Sequence, residues 1–275
     1  MRVRRLAVAA IAAVVGAGSL AACGTGSPDV AAYVGDTTYQ SSRVDAVYDE
    51  VQQSHTERVR QAYDAENDAA KQWAEENGAE VPAAVEPSPQ DLISPVTRQD
   101  VASLLVSIEL GRQVLADRQL TAPTGEVTGL AEALGVPADS EYADLWSQWY
   151  AILLTLEENL PPAEYTDEAV TAVYTPLADA GVLPQGLSVE QAREQFGDGS
   201  FVRAAVAIRD ALAGKAEETG VRVNPRFGPI VAPLLVRTNQ GAIFYDLPYL
   251  STGTPVTDAQ PTAEPAGDID DGHAH

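Results

Sequence analysis

Few side chains in this sequence are of types and spacings that could do chemistry. There are three histidines, His55, His273 and His275, and a single cysteine, Cys23. His55 falls on the apolar stripe of a helical stretch, where it can serve as a proton-sensing or ligand group or simply as a hydrogen-bonded helix residue. A Ser/His/Asp nucleophilic system would have to use it, and the sequence holds no Gly-x-Ser-x-Gly elbow. Glu157 and Glu158, and Asp167 and Glu168, are adjacent on helical stretches. Neighbours on a helix point in different directions, so these pairs read as solvated faces rather than as an acid/base couple. Gly214-Lys215-Ala216 lacks both the glycine-rich loop and the following Ser or Thr of a phosphate cradle. Nothing here builds a catalytic centre, and the chain reads as non-enzymatic, with no cofactor implied.

Two other clusters invite a binding role. Asp268, Asp270, Asp271, His273 and His275 crowd the C-terminal end. They do not match an EF-hand loop, which requires Gly at its sixth position and Glu at its twelfth. They can form either a weak divalent-metal site on a flexible tail or a solvated low-complexity end. Tyr142, Trp146, Trp149 and Tyr150 recur along one helix. They suit either a client-binding platform of amphipathic anchors or plain core.

The N-terminal segment bears on location. Arg2, Arg4 and Arg5 precede an apolar run of 17 residues from Leu6 to Ala22, interrupted by Gly16 and Gly18. A basic start, a short apolar stretch and small residues before a break in pattern describe an export signal over residues 1–22. A spanning helix needs about 20 apolar residues. Leu20-Ala21-Ala22-Cys23 closes the run and resembles a bacterial lipobox. That resemblance implies a diacylglyceryl group on the Cys23 thiol, with palmitate-type chains, and a modified cysteine at the mature N-terminus. Two or more acyl chains hold a protein stably, at about 0.8 kcal/mol per buried CH₂. The expected location is therefore the extracytoplasmic face of a cell membrane, with Gly24 to Asp29 as a polar tether.

Charge restricts the partners. The chain carries 17 basic and 40 acidic residues, a formal net charge of −23, and loss of the signal removes three of the arginines. Such a surface repels nucleic acid and anionic headgroups, which excludes both as ligands.

Between tether and tail, the pattern predicts a mainly α domain over residues 30–250, followed by a disordered acidic tail over 251–275. Ala31 to Val34 reads as a strand, turned at Gly35-Asp36, with Thr37 to Tyr39 extended after it. Ser41 or Ser42 caps a helix reaching Asn77, with Gly78 at its end. Val44, Val47, Tyr48, Val51, His55, Val59 and Tyr63 form its stripe. Four prolines, Pro82, Pro87, Pro89 and Pro95, mark a loop. Thr97 and Asp100 form a capping box for the next helix. Further helices are expected near 127–134, from Asp139 or Ser140 to Leu160, from Thr166 to Ala180, from Ser188 to Phe196 and over 200–219. Val221 to Val223 reads as a closing strand. Leu234 to Arg237 and Ala242 to Tyr245 form either a hairpin about Asn239-Gln240-Gly241 or a packed extension. Arg226 is expected to tie the closing strand to the helices through a carboxylate.

The opening Ala31-Ala32-Tyr33-Val34-Gly35-Asp36-Thr37-Thr38-Tyr39, followed by a capped helix, resembles the start of the SurA N-terminal domain. Val221-Arg222-Val223-Asn224-Pro225-Arg226-Phe227-Gly228 is similar to the closing strand of SurA-like actinobacterial lipoproteins. The resemblance covers the two ends and the helical order between them. It implies that the terminal strands pair in a small sheet and that the helices form a cradle with holdase activity toward unfolded or secreted polypeptides. A ligand- or metal-binding lipoprotein delivering to a membrane partner is the alternative. Residues 120–220 are long enough for a parvulin prolyl-isomerase module. However, no histidine occurs between His55 and His273, no Gly-Gly pair is present, and the stretch reads as helical, so isomerase activity is not expected. Replacing the thiol tests the anchor: Cys23→Ala is expected to move the protein from membranes to the soluble fraction in cell fractionation. Retention through a high-salt wash would refute lipidation.

Overall fold

A computed structural model describes residues 29–125, 127–238 and 241–251, with side chains omitted for 236–242. The expected signal, Cys23, nearly all of its tether and the acidic tail lie outside the described residues. Within them the chain is mainly helical, with a small antiparallel sheet drawn from both ends, as the sequence pattern predicts.

That sheet has three strands rather than a simple pair. Strand β1 (Val30–Val34) turns at Gly35, whose φ of +58° favours glycine, into β2 (Thr37–Gln40), and β3 (Arg222–Val223) pairs on its other side. Tyr33 faces Arg222, and Ala32 faces Val223, both antiparallel. The closing strand is tied in by Asn224 rather than by Arg226. The Asn224 backbone N–H donates to the Ala31 carbonyl at 2.9 Å and its Nδ2 to the Val30 carbonyl at 3.2 Å. Among the described residues Arg226 makes no ion pair, and its guanidinium lies 5.3 Å from the Phe227 ring centroid. Asn224 has a short polar side chain that reaches the backbone of the adjacent strand β1.

Helix α1 (Ser41–Asn77) is 37 residues long, and its cap falls before both predicted serines. Its N-cap is Gln40, which makes no side-chain cap; the Ser41 N–H instead donates to the Asp29 carbonyl at 2.7 Å. Its first three turns bury Val44, Val47 and Val51 in the core, and beyond them only Ala74 is buried. Over its distal half the stripe Val59, Tyr63, Asn67 and Ala70 is half-covered by segment 79–96, laid back antiparallel along the helix. Proline-rich chain cannot form its own ladder, so α1 side chains satisfy its backbone. Asn67 holds both the N–H and the carbonyl of Val85 at 2.8 Å, and Gln52 holds the Leu92 carbonyl and the Ser94 N–H.

The remaining helices are α2 (Arg98–Asp117), α3 (Leu130–Leu134), α4 (Glu141–Asn159), α5 (Asp167–Asp179), α6 (Val189–Gln195) and α7 (Ser200–Thr219). Thr97 and Asp100 cap α2 reciprocally, and Ser140, Thr166 and Ser188 cap α4, α5 and α6. The late apolar runs form a true hairpin, β4 (Ile230–Thr238) with β5 (Gly241–Leu250).

Helix α2 is the centre of the molecule. From Val101 to Ile108 every residue is buried, Ser103 and Ser107 included. Gly111 lets α2 pack closely on α4, because a Cβ there would stand 2.6 Å from Ile152 Cγ2 and 3.2 Å from the Trp149 ring. Both neighbours are themselves buried and cannot retreat freely. Gly111→Ala is accordingly expected to lower the urea midpoint, with a loss of about 1–3 kcal/mol from overpacking that outweighs its gain in helix propensity. An unchanged or raised midpoint would show that α2 and α4 can separate there.

Candidate functional site

The four aromatics of α4 are in the core. Relative exposure is 4% for Tyr142, 4% for Trp146, 0% for Trp149 and 8% for Tyr150. The platform reading is therefore corrected for three of them. Trp149 is spent on structure: its Nε1 donates to the Pro233 carbonyl on β4 at 2.5 Å. Trp146 meets Phe244 edge-on, at 5.1 Å between centroids. Tyr142 lies on the same face, and burial pushes its phenol pKa well above the ordinary value. Helical spacing placed these residues together correctly, but the hairpin covers the face they share.

Tyr150 differs in bordering open space. Between α4, α7 and the hairpin lies a groove with a volume of about 270 Å³. Tyr150, Leu153 and Leu154 supply one wall, Phe201 and Ile208 another, and Leu234, Leu235 and Tyr245 the floor. Leu154 is 44% exposed, an unusual exposure for a large aliphatic side chain in an otherwise packed region. Phe201 packs against Tyr245 at 5.7 Å, holding two walls together. One acidic group, Glu157, sits at the rim. The Tyr245 hydroxyl is held protonated far above the usual range, first by burial and then by the Glu157 charge. Leu154 and Phe201 were missed as site residues. The adjacent Leu153-Leu154 pair was the available signal, since it widens the apolar face of α4 beyond what the core needs.

The other candidate residues take structural places. His55 Nε2 lies 3.0 Å from the Asp91 carbonyl, and Arg58 Nη2 lies 3.1 Å from its Nδ1. Arg58 can only donate, so Nε2 carries the hydrogen and donates to Asp91, and both ring nitrogens are engaged. Lys215 is 8% exposed and paired with Asp117 and Glu218, which joins α7 to the end of α2. Asp167 pairs with Arg193 at 2.5 Å. Among the described residues no group of three or more His, Cys, Asp or Glu could hold a metal. Asp268, Asp270, Asp271, His273, His275 and the lipid-bearing Cys23 lie outside the described residues. No described helix is long and apolar enough to cross a membrane.

Comparisons with protein-family models, with curated proteins and with solved structures found no match.

One acid near the hairpin is strongly perturbed. Asp246 on β5 has a carboxyl pKa pushed up to about 6, first by lost hydration and second by the Asp100 charge, although part of the residue is exposed. The folded value exceeds the unfolded value of 3.8, so the native state holds the extra proton between them. Stability from this group is complete on the acid side of that window and falls as pH rises through it. Asp246→Asn is thus expected to be more stable than the parent at neutral pH and to match it near pH 4 in urea melts. Equal stability differences at both pH values would contradict the assignment.

Proposed function

We propose that this protein is a lipid-anchored, extracytoplasmic lipoprotein that holds unfolded or secreted polypeptides, a non-enzymatic SurA-like holdase without prolyl isomerase activity. The observation that carries the reading is the open apolar groove between α4, α7 and the hairpin. An apolar channel binds exposed hydrophobic segments broadly and weakly, and it needs no reacting group. The SurA-like opening and closing segments support the same reading, as does the lipobox-like Cys23, which would keep the groove at the membrane surface where exported chains emerge.

The charge balance refines the client. A surface with a net charge of −23, and Glu157 at the groove rim, favours apolar segments flanked by Lys or Arg over acidic ones. Long-range attraction of this kind raises encounter rates and weakens with salt.

Leu154→Glu is the direct test, because the side chain is exposed enough for the fold to survive the change. The parent is expected to suppress aggregation of a chemically denatured basic client at a stoichiometric ratio. Covering an unpaired polar group costs about 1–3 kcal/mol and a carboxylate more, so the variant should need at least roughly tenfold more protein for the same effect. A parent protein that leaves aggregation unaltered would overturn the proposal, as would a variant as effective as the parent.

A further inference from the structure

We propose that the cavity between the second half of α2, segment 120–125 and α4 is a binding site for a small aliphatic carboxylate. The acid group would sit on the Arg112 guanidinium, and its chain would lie against Leu115 and Ile152. The site is separate from the groove, and the inference does not depend on the holdase reading.

The cavity has a volume of about 320 Å³, at the small end of the range for small-molecule pockets. Leu115 and Ile152 line it and are 3% and 2% exposed, so its apolar wall is a surface of the core itself. The chain builds the opposite wall by turning sharply at the end of α2. Gln119 takes a φ of +58°, and the Leu120 N–H returns to the Leu115 carbonyl at 2.9 Å. That turn sends Leu120, Ala122 and Pro123 back across the opening. Gly111 allows the close approach of α2 and α4 that fixes the floor.

The polar groups of the cavity select the ligand. Arg112 Nη2 donates to Gln148 Oε1 at 2.5 Å, a neutral acceptor that orients the guanidinium without neutralising it. Among the described residues Arg112 makes no ion pair. Glu109, one turn earlier on the same helix, is instead engaged by Gln113 Nε2 at 3.0 Å. A guanidinium without a carboxylate, in a chain with 40 acidic residues, leaves a planar fork of donors open at the mouth of an apolar cavity. The Ser147 and Thr121 hydroxyls line the same cavity. One cation and neutral hydroxyls match a monoanion. A phosphate dianion would meet too little positive charge in so acidic a protein. The apolar wall then requires a hydrocarbon body behind the acid group.

Titration of the tail-intact, unlipidated protein with octanoate, followed by backbone amide NMR, tests the proposal, with octan-1-ol as the uncharged control. Saturable shifts are expected at Leu115, Thr121 and Ser147 in the parent. Arg112→Gln is expected to weaken octanoate roughly ten- to a hundredfold, the loss of a charge-assisted pair, and to leave the weak binding of octan-1-ol unchanged. Arg112 is exposed, so shifts elsewhere in the variant spectrum should stay put and certify its fold. Three results would overturn the site: no saturable shift at millimolar octanoate, equal affinity in parent and Arg112→Gln, or shifts confined to the groove around Leu154. None of these results predicts a loss of aggregation suppression, so failure here and failure of the holdase reading remain distinguishable.

Discussion

A stretch of helix buried on every side has to satisfy its own polar groups inside the protein, and that constraint organises this structure. Helix α2 carries Ser103 and Ser107 into its buried stretch. Unpaired, each hydroxyl would cost on the order of 1–3 kcal/mol. Both find the same residue of β4: the Val231 N–H donates to Ser103 Oγ at 3.2 Å, and Ser107 Oγ donates to the Val231 carbonyl at 3.2 Å. The exchange serves the hairpin equally. A two-stranded hairpin exposes an edge of unpaired backbone groups that would otherwise need water or another strand. Val231 is answered by the two serines and the Pro233 carbonyl by Trp149 Nε1, while Pro233 itself has no N–H to leave unpaired. The helix and the hairpin edge complete each other.

The groove follows from this docking. To answer Pro233, Trp149 must point at the hairpin, which turns Tyr142 and Trp146 inward with it on the same face of α4. The hairpin then spans the distance between α4 and α7, with Phe244 over Trp146 and Tyr245 against Phe201. Two helices held apart by a strand pair cannot interdigitate along their whole length. The gap that remains is lined by what each element carries beside its core face: Leu153 and Leu154, Phe201 and Leu235. The aromatics bear the structural load, and the aliphatic residues next to them line the open space.

Local signals made much of this legible in the sequence. Thr97 with Asp100, Ser140, Thr166 and Ser188 cap helices where their spacing to the following residues predicts, because a cap is decided within four residues. The start of α1 was less accessible. Its first N–H is taken by Asp29, more than ten residues earlier, through a contact that only the folded sheet creates. The hairpin was visible in outline but shorter than it is, since Pro233 and Pro248 interrupt the apolar runs and argue against a central strand. Both are tolerated because, among the described residues, β4 and β5 pair only with each other and neither is a central strand. The division between core and open surface on α4 was not legible at all. Apolar spacing identifies a face, but which part of it the hairpin covers depends on residues eighty positions away. Cys23 and the Asp/His tail bear on location and metal binding and rest on the sequence alone.

Helix α4 is the element through which the two proposed sites are related. With about 3.6 residues per turn, Trp146, Trp149 and Leu156 define its core face. Leu154 and Glu157 lie to one side of that face, and Gln148 and Ile152 lie to the other. The groove and the cavity therefore share a wall without sharing a residue. That wall is rigid: α4 meets α2 at Gly111 with no room for a methyl group and is fastened to β4 through Trp149. A ligand on one flank could influence the other only by shifting α4 along its axis, which would break the Trp149 bond and open the contact at Gly111. Packing of this density does not yield by small amounts. The two surfaces should therefore act as independent binding sites on one rigid support.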